Sequence, residues 1–248
     1  MMAMLGFLRS LAIYHHPVSL LRWRRFYRKI LAPNSLAFDV GAHVGSRARA
    51  MRAAGARVVA LEPQQPFAGF LRRSLPRDIT VLAVAAGARE TTTDMAISSG
   101  HPTVSSLRAD FVQDAKTASG FGHVQWDRRQ VVHVTTLDAL IARFGRPDFI
   151  KIDVEGFELE VLSGLSDPVR MISVEYLPAY PHLSAPVIDR LTDLGPFVFN
   201  VVEGESGAFR WPDWQDADTI KAWLSKLPLD AKSGDVFARL RDAAPAQH

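Results

Sequence analysis

Two short runs of the chain hold residues whose types and spacing could do chemistry. The first, F-D-V-G-A-H-V-G at 38–45, sets a carboxylate, Asp39, just ahead of a loop containing Gly41, Ala42, His43 and Gly45. The second, I-K-I-D-V-E-G-F-E at 150–158, alternates charged and apolar positions and carries Lys151, Asp153 and Glu155. A glycine loop between an apolar run and a helix holds a ligand against backbone. A triphosphate loop needs G-x-x-x-x-G-K-[ST], whereas here Ser46 comes five residues after Gly41 and Arg47 follows it, so that reading fails. A dinucleotide loop needs G-x-G-x-x-G, and His43 stands where the middle glycine must let backbone approach a pyrophosphate. A nicotinamide cofactor is opposed on that ground without being excluded. Glu62, 21 residues beyond Gly41, ends the next apolar run, where an acid grips ribose hydroxyls.

In F-I-K-I-D-V, Ile150 and Ile152 share one face of an extended segment, and Lys151 and Asp153 share the other. A central parallel strand is apolar on both faces, so two charged side chains there need partners or a ligand. The plainer reading is a Lys–Asp pair holding the sheet to a loop. Glu155, past the strand end and beside Gly156, is placed at the mouth of a site. A metal would rest only on Asp153, Glu155, Glu158 and Glu175 coming together, since no H-E-x-x-H or other compact ligand spacing exists; no metal is expected. His101 and His133 are read as satisfying loop and strand hydrogen bonds.

The pattern D-V-G-A-x-x-G resembles the first motif of S-adenosylmethionine-dependent methyltransferases. Taken with T-T-L-D-A-L-I-A-R-F-G-R-P-D-F-I-K-I-D-V-E-G-F-E-L-E-V-L-S-G-L at 135–165, it resembles the FkbM family of those enzymes, over a stretch from about residue 11 to G-D-V-F-A-R at 234–239. The resemblance implies a class I methyltransferase fold, Rossmann-like, with a seven-stranded, mostly parallel sheet and helices on both faces. It also implies S-adenosylmethionine as cofactor and methyl transfer mostly to a hydroxyl oxygen of a sugar, glycan or polyketide-type acceptor. On that reading Asp39, Gly41, Ala42, His43, Gly45 and Glu62 bind the cofactor. Glu155 is the base or acceptor-orienting group, Asp153 orients substrate or Lys151, and Lys151 is a base only if unprotonated. One departure is visible: His43 stands where the family more often has asparagine. The side chain either touches the acceptor or faces solvent. Ser105 and Ser106, in an irregular insertion, are candidates for acceptor selection, and Glu175 either lines the site or pairs with an arginine.

These residues need a scaffold, and the periodicity supplies one. L-A-F-D-V reads as a first buried strand, followed by a helix from about Ser46 to Ala54. A-R-V-V-A-L-E is the second strand, and Pro66 opens a helix ending near Leu75. I-T-V-L-A-V is the third strand. The stretch 88–130 is less regular, with T-T-T-D-M-A-I a short strand and the serine-rich run around His101 an exposed loop. V-V-H-V-T is strand-like, and Thr136 caps the helix that follows. D-F-I-K-I-D-V, M-I-S-V-E-Y, F-V-F-N-V-V and G-D-V-F-A-R-L complete seven strands, with a helix between Gly156 and Leu162. Strand–helix alternation with short links predicts a parallel sheet.

The chain has 248 residues, 48% hydrophobic and 22% charged, which suits one sizeable globular domain. We expect an N-terminal helical extension over 1–33, a methyltransferase domain over 34–241 and a disordered tail over 242–248. Residues 5–30 read as helix in two pieces broken around Pro17. There is no cysteine, which removes disulfides, thiolate zinc sites, iron–sulfur clusters and the cytosine-C5 transfer mechanism. No D-P-P-Y-like amino-group motif appears, and a net charge of +3 is too slight to argue for nucleic acid. No apolar run reaches the ~18 residues of a membrane span and no signal-peptide pattern is present, so the expected location is cytoplasmic. The basic run R-W-R-R-F-Y-R-K at 22–29 carries Trp23, Phe26, Tyr27 and Ile30 at helical spacing. It reads as a helix packed on the domain with solvated basic residues, and weak contact with a membrane surface is its second reading. The oligomeric state is unknown from sequence. Besides the oxidoreductase, a non-catalytic cofactor-binding protein of the same fold is the other alternative.

Overall fold

A computed structural model describes residues 17–98, 107 and 126–241. Expectations for residues 5–16, His101, Ser105, Ser106 and the tail 242–248 fall outside the described residues. The chain enters through helix α1 (Pro17–Ile30). It continues into strand β1 (Leu36–Val40), buried at every position as a central parallel strand must be. Helix α2 (Ser46–Ala53) leads to β2 (Arg57–Leu61), and α3 (Gln65–Ser74), with Pro66 in its first turn, leads to β3 (Thr80–Leu82). Strands β4 (Ala85–Ala86), β5 (Thr91–Ile97) and β6 (Arg128–Thr135) follow. Helix α4 (Leu137–Phe144) is capped by Thr136, whose hydroxyl accepts from the Ala139 amide at 3.0 Å. Then come β7 (Phe149–Ile152), α5 (Glu158–Ser163), β8 (Met171–Tyr176) and α6 (Pro181–Leu194). Strand β9 (Phe197–Glu203), α7 (Ala217–Leu224) and β10 (Gly234–Leu240) end the described chain.

Seven strands form one sheet in the order β3-β2-β1-β7-β8-β10-β9. All pair in parallel except β10, which lies antiparallel to both β8 and β9. The order reverses between β1 and β7, so a crevice opens beyond their carboxyl ends. The run I-T-V-L-A-V, expected as one strand, pairs with β2 over Thr80–Leu82, and beyond its end Ala85–Ala86 pairs with β6 in a second sheet, β4-β6-β5. The strand-like middle segments therefore pair with each other outside the main sheet. Helices α6 and α7 carry weak sequence signals, because Pro186 interrupts one and the other has only eight residues.

The sheet buries a different cluster on each face. One face packs Phe38, Val40, Ile150 and Ile152 against α4, α5 and α6 through residues such as Leu137, Leu162 and Leu191. The other packs Ala37, Phe149 and Phe237 against α1 and α2. In α1 the buried residues are Trp23, Phe26, Tyr27 and Ile30, the spacing read from sequence. Each such burial contributes about 1.5–3 kcal/mol relative to exposure, which is what fixes the helix to the sheet.

Candidate active site

The glycine loop leaves β1 through two hydrogen bonds that tie it to the neighbouring strand, from the Gly41 and Ala42 amides to the Leu61 carbonyl, at 3.1 and 2.9 Å. Gly41 has a φ of 84°, and a Cβ there would stand 1.8 Å from the carbonyl oxygen of Asp153. Glycine is thus required for conformation and for contact between the loop and the end of β7. His43 also lies at positive φ, 49°, a region that asparagine and histidine tolerate better than most side chains. That backbone demand gives a physical reason for histidine at this place. The His43 ring packs on Phe67 at 4.5 Å between centroids and lines the cavity.

Glu62 is buried, and its two oxygens accept the backbone amides of His43 at 2.8 Å and Gln64 at 2.9 Å. It therefore links the loops that follow β1 and β2. Burial pushes its pKa up to about 7, against the pull of those two bonds. Asp39 is fully buried and faces the same cavity. Neither of its oxygens makes a well-formed hydrogen bond, the Ala48 amide supplying only a weak pull. Burial raises its pKa to about 6, with Lys151 opposing.

Register places Lys151 beside Asp39 across the β1–β7 pair. The Lys151 ammonium reaches Asp153 at 2.6 Å. Burial works against the Lys151 charge, but Asp153, Asp235 and Asp39 outweigh it and hold the group protonated. Burial likewise opposes the Asp153 charge, and Lys151 more than compensates, keeping that carboxyl below its usual range. Glu155 lies at a φ of 54°; burial, then Asp153 and Glu158, raise its pKa well above the ordinary carboxylate value. Glu175, at the end of β8, is raised by burial and by Asp153 and Glu155, and it hydrogen-bonds Asp153. One ligand oxygen each from Asp153, Glu155 and Glu175 lie within 4.8 Å of one another. Glu158 has a different job from the one its spacing suggested. Its Oε1 accepts the Val154 and Gly156 amides at 3.2 and 3.1 Å, holding the turn that carries Glu155.

A cavity of about 550 Å³ brings Asp39, His43, Glu62, Asp153, Glu155 and Glu175 together. His133, by contrast, pairs with Thr92 on the second sheet. Three lining residues escaped the sequence reading. Arg47, in the first turn of α2, donates twice to Glu205 at 2.9 and 3.0 Å and lies over the Trp23 ring at 3.3 Å. Glu205 also accepts the Trp23 indole N–H at 2.5 Å, so α1 holds the loop after β9 against the cavity. Asp235, buried near the start of β10, sits opposite Glu175 in the β8–β10 register. Arg47 was legible as a charge following the glycine loop. Glu205, 158 residues away, and Asp235 gave no local signal.

A sequence profile described as the methyltransferase FkbM domain matches residues 39–227. No curated protein sequence matches the chain significantly. Among solved structures, a precorrin-6y C5,15-methyltransferase from Geobacter metallireducens is 13% identical, covers 88% of this chain and 87% of its own, and gives a TM-score of 0.46. A TehB-like SAM-dependent methyltransferase from Corynebacterium glutamicum is 8% identical over 94% of both chains, with a TM-score of 0.48. An O-methyltransferase from Bacillus cereus in complex with SAH is 11% identical over 96% of this chain and 90% of its own, with a TM-score of 0.46.

Proposed function

The chain belongs to the methyltransferase FkbM domain family, and from that premise we propose how its own residues hold the two substrates and move the proton. The fold is that of a class I methyltransferase, and the cofactor is S-adenosylmethionine. When bound, that cofactor supplies a methyl group already activated on a sulfonium. The observation that carries the assignment of its site is Asp39, a fully buried carboxylate without a well-formed partner, facing the cavity beside the glycine loop. A cationic ligand group satisfies it, as the cofactor's ammonium does, and Gly41, Ala42, His43 and Gly45 let the ligand lie close to backbone. Glu62 uses one lone pair of each oxygen on loop amides and has the others for ribose hydroxyls.

The acceptor side is lined by Asp153, Glu155, Glu175 and Asp235. Carboxyl groups in this density hydrogen-bond hydroxyls and repel anions, which supports a neutral polyhydroxylated acceptor such as a sugar, glycan or polyketide-type alcohol. Glu155 is the base. A proton acceptor works best with a pKa near the operating pH, and burial moves Glu155 toward that range. Asp153, pinned by Lys151 at 2.6 Å, is the weaker base. Lys151, held charged, has no free pair to accept a proton, so it positions Asp153 and neutralises the acidic wall without a metal ion.

Glu155→Gln keeps the shape and removes the basicity. Its affinity for S-adenosylhomocysteine should match the wild type, while turnover on a hydroxylated acceptor falls at least about tenfold. If turnover survives, and Asp153→Asn abolishes it with cofactor binding intact, the two roles are exchanged. Tight binding of NAD in place of S-adenosylhomocysteine would return the site to an oxidoreductase, a reading opposed by the His43 ring at the middle-glycine place.

A further inference from the structure

We infer that the outward face of α1 docks the protein on an anionic lipid surface. Six of the 29 basic residues and none of the 26 acidic ones fall in the first 38 residues, so the rest of the chain is net negative. The six are Arg9, Arg22, Arg24, Arg25, Arg28 and Lys29. On α1 the inward face is consumed by packing, since Trp23, Phe26, Tyr27 and Ile30 are buried. Arg25, Arg28 and Lys29 are exposed, and among the described residues none of them has an ion pair. A helix packed only for stability would gain from an acid on this face, and it has none.

The second half of the observation is apolar. Val18, Leu20 and Leu21, at the start of the same helix, are 54%, 38% and 50% exposed. They account for three of the five large hydrophobic side chains exposed among the described residues. Cations flanking an exposed aliphatic tip match the interface of a bilayer, where lysine and arginine meet phosphate and leucine enters the acyl boundary. Nucleic acid would use the cations and leave the aliphatic tip in water, so lipid is the better fit. No helix among the described residues is long and apolar enough to cross a membrane, so the contact is one of docking. The same helix reaches the cavity: Trp23 and Arg22 both hydrogen-bond Glu205, which lines it. Docking through α1 therefore places the lipid surface on the element that holds the cavity's edge.

The experiment is flotation of the full chain with vesicles of phosphatidylcholine alone, or mixed with phosphatidylglycerol, at low and high salt. The protein should float with the anionic vesicles at low salt and stay behind with neutral ones. Each basic residue near such a surface is worth roughly fivefold in partitioning, so Arg25→Glu/Arg28→Glu/Lys29→Glu should lose at least about 100-fold. Leu21→Asn should weaken binding as well, with the net charge unchanged. Both variants should keep wild-type affinity for S-adenosylhomocysteine, which shows that they are folded. Absence of flotation with anionic vesicles overturns the inference, and so does equal flotation of the charge-reversed protein. Binding to a duplex oligonucleotide that displaces the vesicles and ignores Leu21→Asn would assign the face to nucleic acid instead.

Discussion

Substituting Glu62 by glutamine should remove a pH-dependent loss of stability from the cofactor-free protein while weakening cofactor binding. The carboxyl is buried, and its pKa is raised from 4.5 to about 7 even after both loop amides have donated to it. A folded-state pKa above the unfolded value means that this group's stability contribution is intact below about pH 4.5 and is lost as the pH rises through 7. At about 1.4 kcal/mol per unit, the ionised group costs about 3 kcal/mol at pH 8. Glutamine removes that charge but keeps only one acceptor oxygen, so one of the two loop amides faces an NH2 group and loses its bond, at about 1–3 kcal/mol whatever the pH. Relative to the wild type, the melting temperature of Glu62→Gln should therefore climb by roughly 5–10 °C between pH 5 and pH 8, using 2–4 °C per kcal/mol for a chain of this size. Calorimetric titration with S-adenosylhomocysteine at pH 8 should show weaker binding. Hydrogen bonds to a charged group contribute about 1.5–3 kcal/mol, so affinity should fall roughly 10–150-fold. A difference between variant and wild type that stays constant from pH 5 to pH 8 would refute the electrostatic account. Unchanged affinity would remove Glu62 from the ribose.

Gly41→Ala should lower the melting temperature and abolish S-adenosylhomocysteine binding together, because a Cβ 1.8 Å from the Asp153 carbonyl must push the loop off β7; a variant that binds normally would show that the two segments need not touch. With a pKa of about 6, Asp39 must ionise to meet a cationic ligand, so wild-type affinity should drop about tenfold between pH 7 and 5, and Asp39→Asn should bind weakly without that dependence. A titration in which Asp39→Asn keeps both affinity and pH slope would remove Asp39 from the site. Glu205→Ala strands Arg47 and the Trp23 indole and should cost about 1–2 kcal/mol, read as a lower melting temperature with greater protease sensitivity near residue 17. Unaltered stability and cleavage would show that this contact does not hold α1.

The strands, most of the helices between them and the cofactor loop were legible in the sequence because their determinants are local. L-A-F-D-V and F-I-K-I-D-V read as buried parallel strands from continuous apolar character, and Gly41 and Gly45 mark positive φ, which a chain of L-residues seldom adopts otherwise. Asp39, Glu62 and Asp153 could be placed at strand ends because strand length and register follow from the same patterns. Register across the sheet is not local. It set Asp235 opposite Glu175 and turned two middle strands into a separate sheet, and neither follows from the periodicity of any one segment. Side-chain reach is not local either. The sequence put Glu158 among the acids that could come together at the site, and folding turned it inward to cap the loop under Glu155. The pairing of Arg47 with Glu205 across 158 residues, and the choice of which carboxylates lose solvent, were decided only when the chain packed. Composition records how many charges a chain has, but burial and neighbours determine which of them keep their protons.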